Sequence, residues 1–137
     1  MWWIYALLSA LFAALTAIFA KIGIKDEDTD LATAIRTLVI LLLAWAIAYF
    51  RGGLGSIHSL TKQNLIFLIL SGIATGLSWI FYFKALQLGK VSQVAPVDKL
   101  SVALAIILSI IFLGETLTWK TTAGAVCIIV GTIIIIL

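Results

Sequence analysis

The stretch WWIYALLSALFAALTAIFAKI, from Trp2 to Ile22, runs without a charge as far as Ala20 and is followed by Lys25-Asp26-Glu27-Asp28-Thr29-Asp30. About 19 uncharged residues, rising 1.5 Å each as a helix, come close to the roughly 30 Å hydrocarbon layer of a bilayer. The six polar residues after it are too charged to stay in lipid. The stretch has no positive leader and is longer than the core of a signal peptide, so it reads as a mature membrane span.

The same alternation of long apolar run and short polar break continues outward. A second span starts near Leu31 and runs to Phe50, closed by Arg51-Gly52-Gly53, and a polar loop through Ser56, His58 and Lys62 leads to a third. The five spans are expected at about 2–22, 31–50, 64–86, 92–113 and 120–137. Turns at Gly89-Lys90 and Gly114-Glu115, with a link through Thr118 and Trp119, separate the last three. The expected fold is all-α and polytopic, with five transmembrane helices in one membrane domain over residues 1–137. Every loop is about a dozen residues or fewer, which leaves no soluble domain for an active site outside the membrane.

Composition agrees. The chain has 137 residues, 64% hydrophobic and 11% charged, and a mean hydropathy of +1.24, so its charges cannot cover a water-soluble globule of this size. The net charge of +3 comes from basic residues scattered along the chain, not gathered on a face, which argues against nucleic acid as a partner. There is no phosphate loop of the GxxxxGK[ST] kind, and His58 and Cys127, the only His and Cys, lie in different environments. His58 is expected to be solvated and Cys127 to be a small core residue. No cofactor, metal or enzymatic activity is expected.

Ionisable residues inside a span are costly unless they pair or face water, so Arg36, Asp98 and Lys99 are the first candidates for function. Let side A be the side reached after spans one and three, and side B the side of the amino terminus. Trp2, Trp3, Tyr49 and Trp119 then fall near side B, as an aromatic belt. Asp98 sits about six residues into the fourth span, roughly 9 Å deep, and Arg36 about five residues into the second, both counted from side A. With Lys84 they form one cluster near that mouth. Two readings stay open: a gate or coupling site, or Asp98 pairing with Arg36 for stability while Lys84 and Lys99 snorkel to the headgroups.

Small and hydroxylated stripes run inward at helical spacing. In the fourth span Asp98, Ser101, Ala105 and Ser109 share an arc, and Lys99 points elsewhere. In the third, Ser71, Thr75, Ser78 and Tyr82 adjoin a stripe of Gly72, Gly76, Trp79 and Phe83. Tyr5, Ser9, Ala13, Thr16 and Ala20 share a face of the first. Such stripes serve plain helix packing or line a common cavity. Pro96 removes a backbone donor and loosens the fourth helix, or sits harmlessly in its first turn. A cation held by Trp79 or Tyr82 is physically feasible.

Ser78-Trp79-Ile80-Phe81-Tyr82-Phe83-Lys84-Ala85-Leu86, Val94-Ala95-Pro96 and Phe112-Leu113-Gly114-Glu115 resemble the EamA family of the drug/metabolite transporter superfamily. The resemblance covers the whole chain and is most specific from about Gly72 to Gly131. It implies half of an inverted-repeat transporter fold, since family members resemble ten-helix proteins built from two five-helix repeats of opposite orientation. It also implies a pathway lined by the first four spans, a more peripheral fifth, and export of small metabolites or amino-acid-like solutes. Glu115 matches the family's Gly-Glu, with an interfacial cap as its expected role. The smaller four-helix multidrug exporters of the superfamily carry an acid in the first span; this chain has none there, so their proton-coupled mechanism is not carried over.

The expected activity is therefore secondary transport of a small solute by alternating access. A lipid-carrier flippase or an accessory membrane subunit is the alternative. The expected partners are the lipid bilayer, a small-molecule substrate and a second copy of the chain, inserted antiparallel to supply the missing repeat. The expected location is the cell membrane, as a multi-pass protein of a prokaryotic inner or plasma membrane. Side A carries Lys21, Lys25, Lys84 and Lys90, and side B carries Arg51, Lys62 and Lys120, a weak bias for the positive-inside rule. Arg36 and Lys99 also lie near side A, and counting them favours a single orientation with side A in the cytoplasm.

Overall fold

A backbone in lipid has no water to bond with, and this chain satisfies its peptide groups by folding all its regular structure as helix. The computed structural model describes residues 1–137. It contains α1 (Trp2–Gly23), α2 (Thr29–Phe50), α3 (Lys62–Leu88), α4 (Val91–Asp98), α5 (Leu100–Leu113) and α6 (Trp119–Ile136), with a 3-10 segment, Gly53–Ser59, between α2 and α3. Five stretches are long and apolar enough to cross a membrane: α1, α2, α3, α6 and the combined Val91–Leu113.

Polar side chains set the helix ends. The Asp28 carboxylate accepts from the backbone N–H groups of Asp30 and Leu31, both at 2.9 Å, so α2 begins two residues before the apolar run does. Thr61 accepts from the Asn64 N–H, and Thr118 from the Thr121 N–H at 3.2 Å, at the starts of α3 and α6. Gly114 closes α5 in the left-handed region, at φ 67°, where a side chain would be strained. α3, at 27 residues, is about 40 Å long, more than the hydrocarbon layer needs, so it tilts or extends into the interface.

The fourth span, Val91–Leu113, stays helical in its backbone angles but tightens at Lys99, between α4 and α5. Pro96 lies at the sixth position of α4, past its first turn, and α4 ends in a turn at Lys99 before α5 begins. The Lys99 N–H is shared between the carbonyls of Ala95 (3.3 Å) and Pro96 (3.1 Å), and Val102 N–H returns to the Lys99 carbonyl at 3.0 Å, the tightened pattern of a 3-10 turn. From α6, the buried Thr132 hydroxyl lies 3.2 Å from the Pro96 carbonyl and 2.8 Å from that of Ile128. A polar side chain thus joins the Lys99 N–H at the Pro96 carbonyl.

This break corrects the side-chain geometry expected from regular spacing. Lys99 does not point away from Asp98: its ammonium lies 3.3 Å from the Asp98 carboxylate. A uniform 100° step does not hold through the tightened turn, where neighbouring side chains are able to meet.

The chain divides into two compact units, residues Phe19–Gln87 and residues Met1–Ile18 with Leu88–Leu137. In the first, Ala20, Ile24, Phe83 and Leu86 are buried with Thr29 and Thr33. In the second, the buried residues are Ala17, Ala103 and Thr132. Most other large apolar side chains are exposed, from Trp2 and Phe12 to Phe67, Phe112 and Ile134. In water such a surface would aggregate; in a bilayer it meets acyl chains of its own polarity. The protein is a multi-pass membrane protein in contact with lipid. Cys127 belongs to this exposed surface and not to a core, because α6 turns Thr132 inward and Cys127, five residues earlier, to another face.

Candidate functional site

Arg36 is the most conspicuous group in the Phe19–Gln87 unit. Because Asp28 caps α2, Arg36 lies eight residues, or about 12 Å, along the helix axis from the cap. Its guanidinium carbon stands 4.1 Å from the ring centre of Phe83 and 5.5 Å from that of Trp79, both on α3. Trp79 and Phe83 are four residues apart, so one face of α3 presents both rings to the cation. The Nη1 atom is shielded from solvent and has no hydrogen-bond partner. The rings stabilise the charge through their quadrupoles but offer no acceptor in the plane of the N–H groups.

Arg36 also borders a cleft of about 390 Å³ between the end of α1 and the start of α2. Phe19, Ala20, Ile24, Leu31 and Ile35 line it with hydrocarbon, and Glu27 and Asp28, on the loop, mark its mouth. The cavity is therefore lined by apolar side chains together with Glu27, Asp28 and, two helical turns along α2 from Asp28, Arg36.

The same unit is tied at its side A end by reciprocal caps. Lys21, on α1, donates to the carbonyls of Leu86 and Gln87 at the end of α3. In return the Gln87 amide donates to the carbonyls of Ile24 (3.1 Å) and Glu27 (2.9 Å) beyond the end of α1. Lys84 donates to the Gln87 side-chain oxygen at 3.2 Å. Each cation meets partial negative charge from a helix terminus or its side chains, a favourable placement. Two of the basic residues assigned to side A, Lys21 and Lys84, thus have structural partners.

The remaining sequence candidates are distributed as follows. Thr75 donates to the Ser71 carbonyl at 2.8 Å, so that hydroxyl is satisfied by its own helix, and Ser71, Thr75 and Ser78 are all exposed. Tyr82 and Trp79 are half-buried, and Tyr82 lies 5.7 Å, ring to ring, from Phe83. The Trp79 ring is already engaged by Arg36, which leaves that face unsuited to a second cation. In the other unit Asp98 and Lys99 pair at the helix break, Ser101 and Ser9 are exposed, and Thr16 is half-buried.

Comparison with known proteins gives the lineage of this five-span chain. Residues 1–137 match the EamA-like transporter family over their full extent. The chain belongs to the EamA family. A Sinorhizobium protein named as an uncharacterised transporter in the cobO 3' region is 45% identical over 134 residues, covering 98% of this chain and 95% of that one. An uncharacterised protein of Methanocaldococcus jannaschii is 29% identical, covering 96% and 93% respectively. Human solute carrier family 35 member G1 is 31% identical over 91% of this chain but only 34% of its own length. EamA relatives of this chain thus occur both at its own size and as longer proteins. No solved structure matches it. With this lineage and five apolar spans, the chain is a membrane transporter.

For this EamA chain, sequence reasoning missed the residues that act through shape. Phe83 shares a helix face with Gly72 and Gly76, yet it is the ring nearest Arg36. Gln87 and Thr132 carry no charge to mark them, although Gln87 bonds the backbone just beyond α1 and Thr132 meets that of α4. The available signal was their polarity within or at the end of an apolar span.

Proposed function

We propose that the protein is a secondary transporter of a small polar or amphipathic metabolite, working in the cell membrane as an exporter. The observation that carries the reading is Arg36: a cation about 12 Å along a membrane-spanning helix, held over Trp79 and Phe83 beside an open cleft. Asp98, at the break in the fourth span, is the gating or coupling group. Discontinuous membrane helices serve this role because their ends and side chains reach a site without a continuous helix to unwind.

The working unit is a homodimer of oppositely inserted chains, in which the two five-helix repeats rock about a shared midplane site and expose it alternately. Support comes from the family membership, the span count and the weak charge bias of the loops. Purified protein in liposomes tests the activity by two parallel readings: uptake of soluble metabolites and movement of a labelled lipid between leaflets. Solute uptake with lipid held in place is expected. Lipid movement without solute uptake would instead favour a lipid-carrier flippase.

A further inference from the structure

We infer that the cleft between α1 and α2 is a recognition site for a small organic monoanion, a single carboxylate on a short apolar body, with Arg36 as its anchor. The inference rests on the transport reading above and gives it a substrate class.

Charge decides the sign. Arg36 has ring faces as neighbours, and its shielded Nη1 meets no acceptor. A guanidinium presents paired N–H groups in the geometry a carboxylate accepts, and this one has no acid beside it. An ammonium or guanidinium ligand entering the same cleft would be repelled by Arg36 and would find the Trp79 face occupied. A carboxylate in the cleft is attracted to the positive charge of Arg36, which no acidic side chain of the protein pairs with.

Size and walls decide the rest. A cavity of about 390 Å³ lies near the lower end of the range for small-molecule sites. Phe19, Ile24, Leu31 and Ile35 offer the ligand body hydrocarbon alone. At the mouth stand Glu27 and Asp28, and Asp28 already receives two N–H groups from the start of α2. A second anionic group on a ligand long enough to reach back about 12 Å from Arg36 would face these two acids. Glu27 and Asp28 therefore disfavour a second anionic group at their end of the cleft, and the ligand carries its one carboxylate toward Arg36 and a neutral group toward the two acids.

The test uses phenylacetate, 2-phenylethanol and phenethylamine, three probes of one shape that differ in charge. Their binding is measured by calorimetry on the full chain in phosphatidylcholine nanodiscs. Phenylacetate is expected to bind more tightly than the alcohol or the amine. Arg36→Gln should weaken phenylacetate by about tenfold or more, the loss of one charge-assisted pair, and so remove its preference over 2-phenylethanol; Arg36→Lys should retain part of the preference. If Arg36→Gln does not fold, Ala32→Trp, which fills the cleft while keeping the guanidinium, should abolish binding of phenylacetate. Equal affinity for the three probes, or preference for phenylacetate unchanged in the variants, overturns the assignment. Loss of phenylacetate binding when phosphatidylglycerol is added to the disc also overturns it, since the occupant is then a lipid headgroup. Binding and flux separate the two claims. Anion binding without transport of any solute leaves the cleft assignment standing and removes the transport reading, and solute transport without anion binding does the reverse.

Discussion

Arg36 and Phe83 form the closest cation-ring contact in the protein, 4.1 Å from guanidinium carbon to ring centre, and Phe83 is only 1% exposed. One residue thus serves two purposes, filling the core between helices and supporting a charge inside a membrane span. The two purposes separate on mutation. Phe83→Leu keeps most of the volume and removes the ring, so it should cost about 1–2 kcal/mol. Phe83→Ala also leaves a cavity and should cost about 3 kcal/mol or more. Reversible unfolding in mixed detergent micelles measures both, and a Phe83→Leu variant as stable as the wild type would mean that the ring's charge contact contributes little.

The reciprocal caps of Lys21 and Gln87 should behave as a coupled unit. Lys21→Met removes donors to the Leu86 and Gln87 carbonyls, and Gln87→Leu removes donors to those of Ile24 and Glu27. Each change is expected to destabilise by about 1–2 kcal/mol. The double variant should lose less than the sum by at least about 0.5 kcal/mol, because both pairs hold the same two helix ends together. Strict additivity in the unfolding measurement would mean that the caps act independently.

Asp98 should matter for flux more than for stability. Asp98→Asn keeps the shape and removes the charge that meets Lys99 at the break, and an exposed pair of this kind is worth at most about 1 kcal/mol to folding. Transport in liposomes is nevertheless expected to slow by about tenfold or more. Thr132→Val, which takes the hydroxyl from the Pro96 carbonyl, should slow it as well, with Thr132→Ser restoring the rate. Wild-type rates in Asp98→Asn would make the acid structural.

The span pattern was readable in the sequence because hydrophobicity and charge change abruptly at loops such as Lys25–Asp30, and a bilayer admits few answers to such a pattern. Capping moved the boundaries: Asp28 starts α2 earlier than the apolar run does, which places Arg36 deeper along its helix. Periodicity failed at Lys99, where the tightened turn after Pro96 lets its ammonium meet Asp98. It failed again for Cys127, since an apolar run in a membrane helix does not say which face meets lipid and which meets protein. The cleft depends on how the end of α1 lies against α2, a tertiary arrangement that no local pattern encodes.

Orientation is a separate prediction. Reporters fused to the carboxyl terminus, one active only in the cytoplasm and one only outside, should both give signal if the chain inserts in two orientations to make an antiparallel dimer. Signal from one reporter alone, at normal expression, would replace that dimer with a parallel pair or a different partner carrying the second repeat.

The most direct measurement of the central claim is solute counterflow. The soluble metabolite that most raises the protein's melting temperature is sealed, unlabelled, inside liposomes containing the protein, and a trace of labelled compound is added outside. The account predicts transient, saturable accumulation of label with the wild-type chain and little with Arg36→Gln or Asp98→Asn. Accumulation no greater than in protein-free liposomes for every stabilising metabolite, from protein that is folded and inserted, would contradict it.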